Sequence, residues 1–170
     1  MKSGKMLVVY FTATNTTKKV AEQISKELNC DIYQIIPEKK YTSSDLNWND
    51  ENSRSTIEQK DRKARPKINL SQDPKISNYD TILIGFPIWW YTAPNIILTF
   101  LENFDFTGKN IVVWGTSWES DFEKTLDDLK DCCKGKLIKG VIFNKEHRKK
   151  EDIKKSKVLL KSNLHVFKVL

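Results

Sequence analysis

The sequence predicts an α/β fold in which one five-stranded parallel sheet carries helices on both faces. Two observations predict it. Five short apolar runs alternate with polar or amphipathic stretches along the chain, and parallel strands joined in this way need right-handed crossovers that cover both faces of the sheet. No internal repeat or second hydrophobic unit is apparent, and 170 residues suit one domain. We place that domain at 1–144, with 145–170 as its basic C-terminal helix or tail.

The first strand is Lys5 to Phe11, a short β-branched apolar run. After the polar Thr12 to Thr17, the residues Thr17, Ala21, Ile24 and Leu28 recur at helical spacing and predict an amphipathic helix over 15–28. Asp31 to Ile36 reads as the second strand. The next 43 residues, Pro37 to Tyr79, are polar and too long for an ordinary connection, with one helix expected near Ser53 to Lys63, so they form a functional excursion. Thr81 to Gly85 is the third strand, ended by Pro87. Pro94 suits the first turn of a helix with Ile97, Phe100, Leu101 and Phe104 as its apolar stripe. Asn110 to Gly115 is the fourth strand, and Ser120 with Glu123 forms a capping box for a helix striped by Phe122, Leu126 and Leu129. Lys136 to Phe143 is the fifth strand, and Glu151 to Lys161 a last, weakly amphipathic helix.

Composition removes several function classes. The 39% hydrophobic and 30% charged content is that of a soluble globular protein. Cys30, Cys132 and Cys133 make neither a CxxC motif nor an even framework, which argues against disulfides and zinc and for a reducing compartment. Met6 to Phe11 is too short for a signal-peptide core, and no apolar run approaches the roughly 18 residues of a membrane span, so a cytoplasmic location with no membrane partner is expected. The net charge of +7 suggests nucleic acid until it is located: Lys145 to Leu170 hold nine Lys or Arg against three Asp or Glu, leaving twenty against nineteen elsewhere. A solvated basic tail is the expectation, and nucleic acid is not. His147 and His165 lie in that tail, away from any nucleophile loop, and Asp127, Asp128 and Asp131 read as the solvated face of a helix rather than a metal cluster.

Ligands of such sheets bind beyond the carboxyl ends of the strands, and three unusual loops leave those ends. Thr12 to Thr17 gathers hydroxyls, an amide and the free N–H groups of a helix N-terminus at a spot suited to phosphate, without the glycines and lysine of a P-loop. Read alone, it is equally well a helix cap followed by solvated threonines. Pro87 to Ala93 offers Trp89, Trp90 and Tyr91 as flat aromatic surface for a planar ligand, although such clusters also occur in cores and interfaces. Thr116 to Ser120 adds two hydroxyls and Trp118.

The three loops together resemble the flavodoxin family, in particular its short-chain group, through YFTATNTT followed by KKVAEQI and through GFPIWWYTAP. The similarity runs from about Lys5 to Gly140 and includes Asp45-Leu46-Asn47-Trp48 and Arg65-Pro66 in the excursion. The resemblance implies a flavodoxin-like three-layer sandwich of strand order 2-1-3-4-5 that holds flavin mononucleotide (FMN) noncovalently. It implies a phosphate site at Thr12, Thr14, Asn15, Thr16 and Thr17, a ring site at Pro87, Ile88, Trp89, Trp90 and Tyr91, and a second wall begun by Thr116 and Ser117. The family's third loop usually reads threonine-serine-glycine-glycine-serine, whereas Trp118 and Glu119 stand here in place of the glycines. Either Trp118 stacks on the ring with Glu119 facing solvent, or the two obstruct the site; retained binding is the expectation. Asn15 stands where glycine is common and tolerates a left-handed backbone.

The leading expectation is an electron-transfer flavoprotein that serves a redox partner protein or small-molecule acceptor, with a homodimer left open. The alternatives are an NAD(P)H-dependent quinone or nitro-group reductase using the same FMN, and a flavin-free interaction module on the same fold.

Overall fold

The computed structural model describes residues 4–118 and 124–144. The expected capping box at Ser120 and Glu123, the side chains of Glu119 and Phe122, the last helix and both histidines lie outside them.

Five strands, β1 (Met6–Phe11), β2 (Asp31–Ile35), β3 (Thr81–Pro87), β4 (Asn110–Thr116) and β5 (Lys136–Phe143), form one sheet of order β2-β1-β3-β4-β5, every neighbouring pair parallel. Among the described residues four α-helices accompany them: α1 (Thr16–Leu28), α2 (Arg54–Lys60), α3 (Asn95–Asn103) and α4 (Thr125–Lys130). The two-residue period of a strand sorts the core between the faces. Leu7, Val9 and Phe11 join Ile82, Ile84, Ile111 and Val113 beneath α3 and Leu129 of α4, while Val8, Tyr10, Leu83, Val112 and Trp114 pack on Val20, Ala21 and Ile24 of α1. Trp114 lies flat against Gly85, where an added Cβ would stand 2.0 Å from the indole. Among the described residues no helix is long and apolar enough to cross a membrane.

Three differences from the expected elements have physical causes. β3 runs on through Phe86 to Pro87, which pairs with Thr116 as the strand's last residue, a place where its missing N–H is tolerated. β4 shifts register against β5 between Val113 and Gly115, which brings Thr116 opposite Phe143 beside the third loop. Helix α3 is buried from Asn95 to Leu101, Ile96 and Leu98 as well as Ile97, Phe100 and Leu101 of the expected stripe, because the excursion folds back over it, and Phe104 caps it half-buried. That excursion closes on itself through the antiparallel bridge of Pro37 with Ile68 and is drawn onto α3 by the paired bonds of Arg65 to Glu102, both 2.8 Å.

Candidate functional site

The strand ends of β1, β3 and β4 open into one cleft of about 800 Å³, a size usual for cofactor sites. Its first wall is the loop between β1 and α1. Asn15 enters the helix at φ 62°, a left-handed conformation that asparagine adopts more readily than most residues, and its side chain does not cap the helix. The first-turn N–H groups therefore keep their positive end for a ligand. Thr12 Oγ1 is buried without a hydrogen-bond partner, an arrangement that costs about 1–3 kcal/mol unless something polar reaches it. Thr17 turns the other way, its buried hydroxyl 2.8 Å from that of Thr116, which ties the first loop to the third.

The second wall is a tight hairpin. Trp89 and Thr92 exchange backbone hydrogen bonds of 3.0 and 3.1 Å, and the two residues between them, Trp90 at φ 47° and Tyr91 at φ 65°, are both left-handed. This is the twist of a primed turn, which asparagine and glycine ordinarily supply. Two bulky aromatics in its place store strain on the order of 1–3 kcal/mol each. Trp89 turns inward, meeting Phe11 and Tyr41 edge-on at ring-centroid distances of 5.9 and 5.5 Å. Trp90 and Tyr91 stay 42% and 58% exposed.

Behind Trp89 the excursion is held by a compact polar group. The Tyr41 hydroxyl donates to Glu58 at 2.5 Å, Arg54 bonds Glu58 at 2.6 Å, and the Arg54 guanidinium stacks on the Tyr41 ring at 3.9 Å. Burial first, and the bond to Glu58 second, push the Tyr41 phenol well above its ordinary range, so it stays protonated and donates. The excursion thereby brings Leu46, Trp48 and Ser55 to the cleft, residues that local sequence reading did not assign to the site. The resemblance through Asp45 to Trp48 takes in Leu46 and Trp48 but not Ser55. Trp48 and Trp118 both stand at the mouth, 72% and 69% exposed, so Trp118 does not fill the cleft.

Of the residues expected at the site, Thr14, Thr16, Pro87, Ile88, Trp89, Trp90, Tyr91, Thr116, Ser117 and Trp118 line this one cleft, together with Ala13. Thr12, Asn15 and Thr17 belong to the same loop without being lining residues: one has a buried hydroxyl, one a left-handed backbone, one the bond to Thr116. None of the described lining side chains is charged. Asp128, expected on a solvated helix face, is instead half-buried, accepting a hydrogen bond from Thr92 and lying 3.4 Å from Arg62, because the excursion carries a cation to it. No cluster of metal-binding side chains occurs among the described residues. Burial pushes the Cys132 thiol up to about 11 and raises Cys133, so neither is a reactive thiolate.

Comparison with known proteins agrees with this fold. The family model for flavodoxin matches residues 5–158. A crystal structure of a candidate flavoprotein from Bacteroides eggerthii superposes with a TM-score of 0.83 at 37% identity, covering 94% of this chain and 98% of that one. Another from Bacteroides uniformis gives 0.80 at 40% identity, covering 91% and 97%. A flavoprotein from Lactobacillus acidophilus solved in complex with FMN shares the fold with a TM-score of 0.66 at 22% identity, over 82% and 93% of the two chains.

Proposed function

The chain belongs to the flavodoxin family, and from that premise we propose that it binds FMN in the strand-end cleft and works as an electron-transfer protein. The observation that carries this reading is the buried, unpartnered hydroxyl of Thr12 beside the uncapped N-terminus of α1. A phosphate there would satisfy the hydroxyl and the first-turn N–H groups together. The donors are neutral, so the helix dipole and short hydrogen bonds stabilise the phosphate charge.

When bound, FMN supplies reversible electron chemistry. The chain's own residues would hold and shield it. Thr14 and Thr16 offer hydroxyls to the phosphate end, Ile88 and Trp89 an apolar floor, and Trp90 and Tyr91 fixed aromatic surface. The hairpin's strain is set before any ligand arrives, so little ordering remains to oppose binding.

Protein saturated with FMN and then desalted is expected to keep visible flavin absorbance; colourless protein would sink the flavin reading and favour an interaction module. If it is yellow, NADH or NADPH oxidation with a quinone should need a partner reductase. Turnover without one would establish the reductase reading instead.

A further inference from the structure

A chain of polar groups runs behind the cleft through Gln59, Arg62 and Asp128. None of these three side chains lines the cleft. We infer that this chain is a clamp that sets the conformation of the Trp89–Thr92 hairpin, making Arg62 and Asp128 positioning residues for the ring end of the site. That the ring is a flavin rests on the proposed FMN binding; the clamp does not.

The hairpin needs an outside hold. Its own backbone contributes the pair of bonds between Trp89 and Thr92, and its two central residues are aromatic, left-handed and substantially exposed, so their packing does not offset the strain. Three groups from elsewhere grip it. Gln59 donates from Nε2 to the Trp89 carbonyl at 3.1 Å, Arg62 donates from Nη1 to the Ala93 carbonyl at 3.1 Å, and the Thr92 hydroxyl donates to Asp128. Each end of the turn is thus held by a side chain from another element.

The gripping groups are themselves fixed. Arg62 Nη1 also donates to Asn95 Oδ1 at 2.5 Å and shares one of its two hydrogens with Gln59 Oε1 at 3.3 Å, while Nη2 lies 3.4 Å from Asp128 Oδ2. Asn95 in turn donates to the carbonyls of Glu58 and Asp61 at 2.6 and 2.8 Å, locking the end of α2 to the start of α3. A planar guanidinium can meet these partners from one position; a lysine ammonium cannot. Burial lowers the proton affinity of Arg62 and the Asp128 carboxylate opposes that, which keeps the cation in place. Asp128 belongs to α4, so one network ties the hairpin to α2, α3 and α4.

The test is amide hydrogen exchange on the full chain without flavin, comparing wild type with Arg62→Met and Asp128→Asn, followed by titration of the same proteins with riboflavin and with FMN. Arg62→Met keeps the aliphatic stem; Asp128→Asn keeps an acceptor for Thr92 but removes the charge. The expected result is that exchange at Trp89 and Thr92 quickens by about tenfold, the scale of one lost charge-assisted bond, while Leu83 in β3 is unchanged. Riboflavin and FMN should then weaken by the same factor, because the damage is at the ring end. Unchanged exchange at Trp89 and Thr92 in both variants, or equal quickening at Leu83, would overturn the clamp. So would a loss confined to FMN. If wild type binds neither flavin, the proposed cofactor fails while the exchange result still decides the clamp.

Discussion

The loop before α1 and the hairpin after β3 face the same cleft and are built on opposite plans. The first leaves polar groups unsatisfied: the Thr12 hydroxyl is buried without a partner and the helix N-terminus is uncapped. The second is held from outside, since the Trp89 and Ala93 carbonyls and the Thr92 hydroxyl are engaged by Gln59, Arg62 and Asp128, and it stores strain at Trp90 and Tyr91. One wall waits for its hydrogen bonds and the other has its shape already. A site divided in this way gains affinity at one end from new bonds and at the other from preorganisation.

Breaking the tie between the first and third loops should have the largest effect. Thr17→Val leaves the buried Thr116 hydroxyl without its 2.8 Å partner and is expected to lower stability by about 1–3 kcal/mol in urea unfolding. The double variant Thr17→Val with Thr116→Val should recover most of that, because two apolar groups of matching shape leave no orphan. A double variant as unstable as the sum of the singles would mean the bond is incidental.

Replacing the strained pair sharpens the contrast from the other side. Trp90→Asn with Tyr91→Gly supplies the residues a primed turn prefers and should raise stability by about 1–2 kcal/mol. Flavin affinity should fall, since the fixed aromatic surface is gone. A thermal midpoint lower than wild type would show that the aromatics are not strained in place.

Much of this was legible in the sequence, for reasons that differ by region. Strands such as Met6–Phe11 announce themselves because a parallel strand buried on both faces is apolar over nearly its whole length. Helix α1 shows its inner face through the spacing of Val20, Ala21 and Ile24. The left-handed Asn15 follows from its residue type, whereas left-handed Trp90 and Tyr91 do not, because no local preference puts them there. Leu46, Trp48 and Ser55 reach the cleft only through the folding of the excursion, and Asp128 leaves its solvated role only because Arg62 arrives from that same excursion. Long-range contacts of this kind leave no periodicity to read.

The smallest expected effect lies outside both walls. The two hydrogen bonds from Arg65 hold the Glu102 carboxyl below its usual range, so the pair's contribution is present at neutral pH and is lost as the pH falls through that lowered value. With both side chains partly exposed, screening limits the pair to no more than about 1 kcal/mol. Arg65→Met should remove that part of the acid dependence in unfolding curves from neutral to acid pH, with flavin affinity unchanged; an unaltered acid limb would show the pair contributes nothing.

The most direct measurement is the affinity of wild type and Thr12→Val for FMN and for riboflavin, read alongside the stability of the flavin-free proteins. The Thr12 hydroxyl is a burden without phosphate and a donor with it. Thr12→Val should therefore stabilise the flavin-free chain by about 1 kcal/mol, weaken FMN by about tenfold, and leave riboflavin unchanged. Equal affinities of wild type for FMN and riboflavin, or a Thr12→Val protein that binds FMN as tightly as wild type, would contradict a phosphate site in this loop.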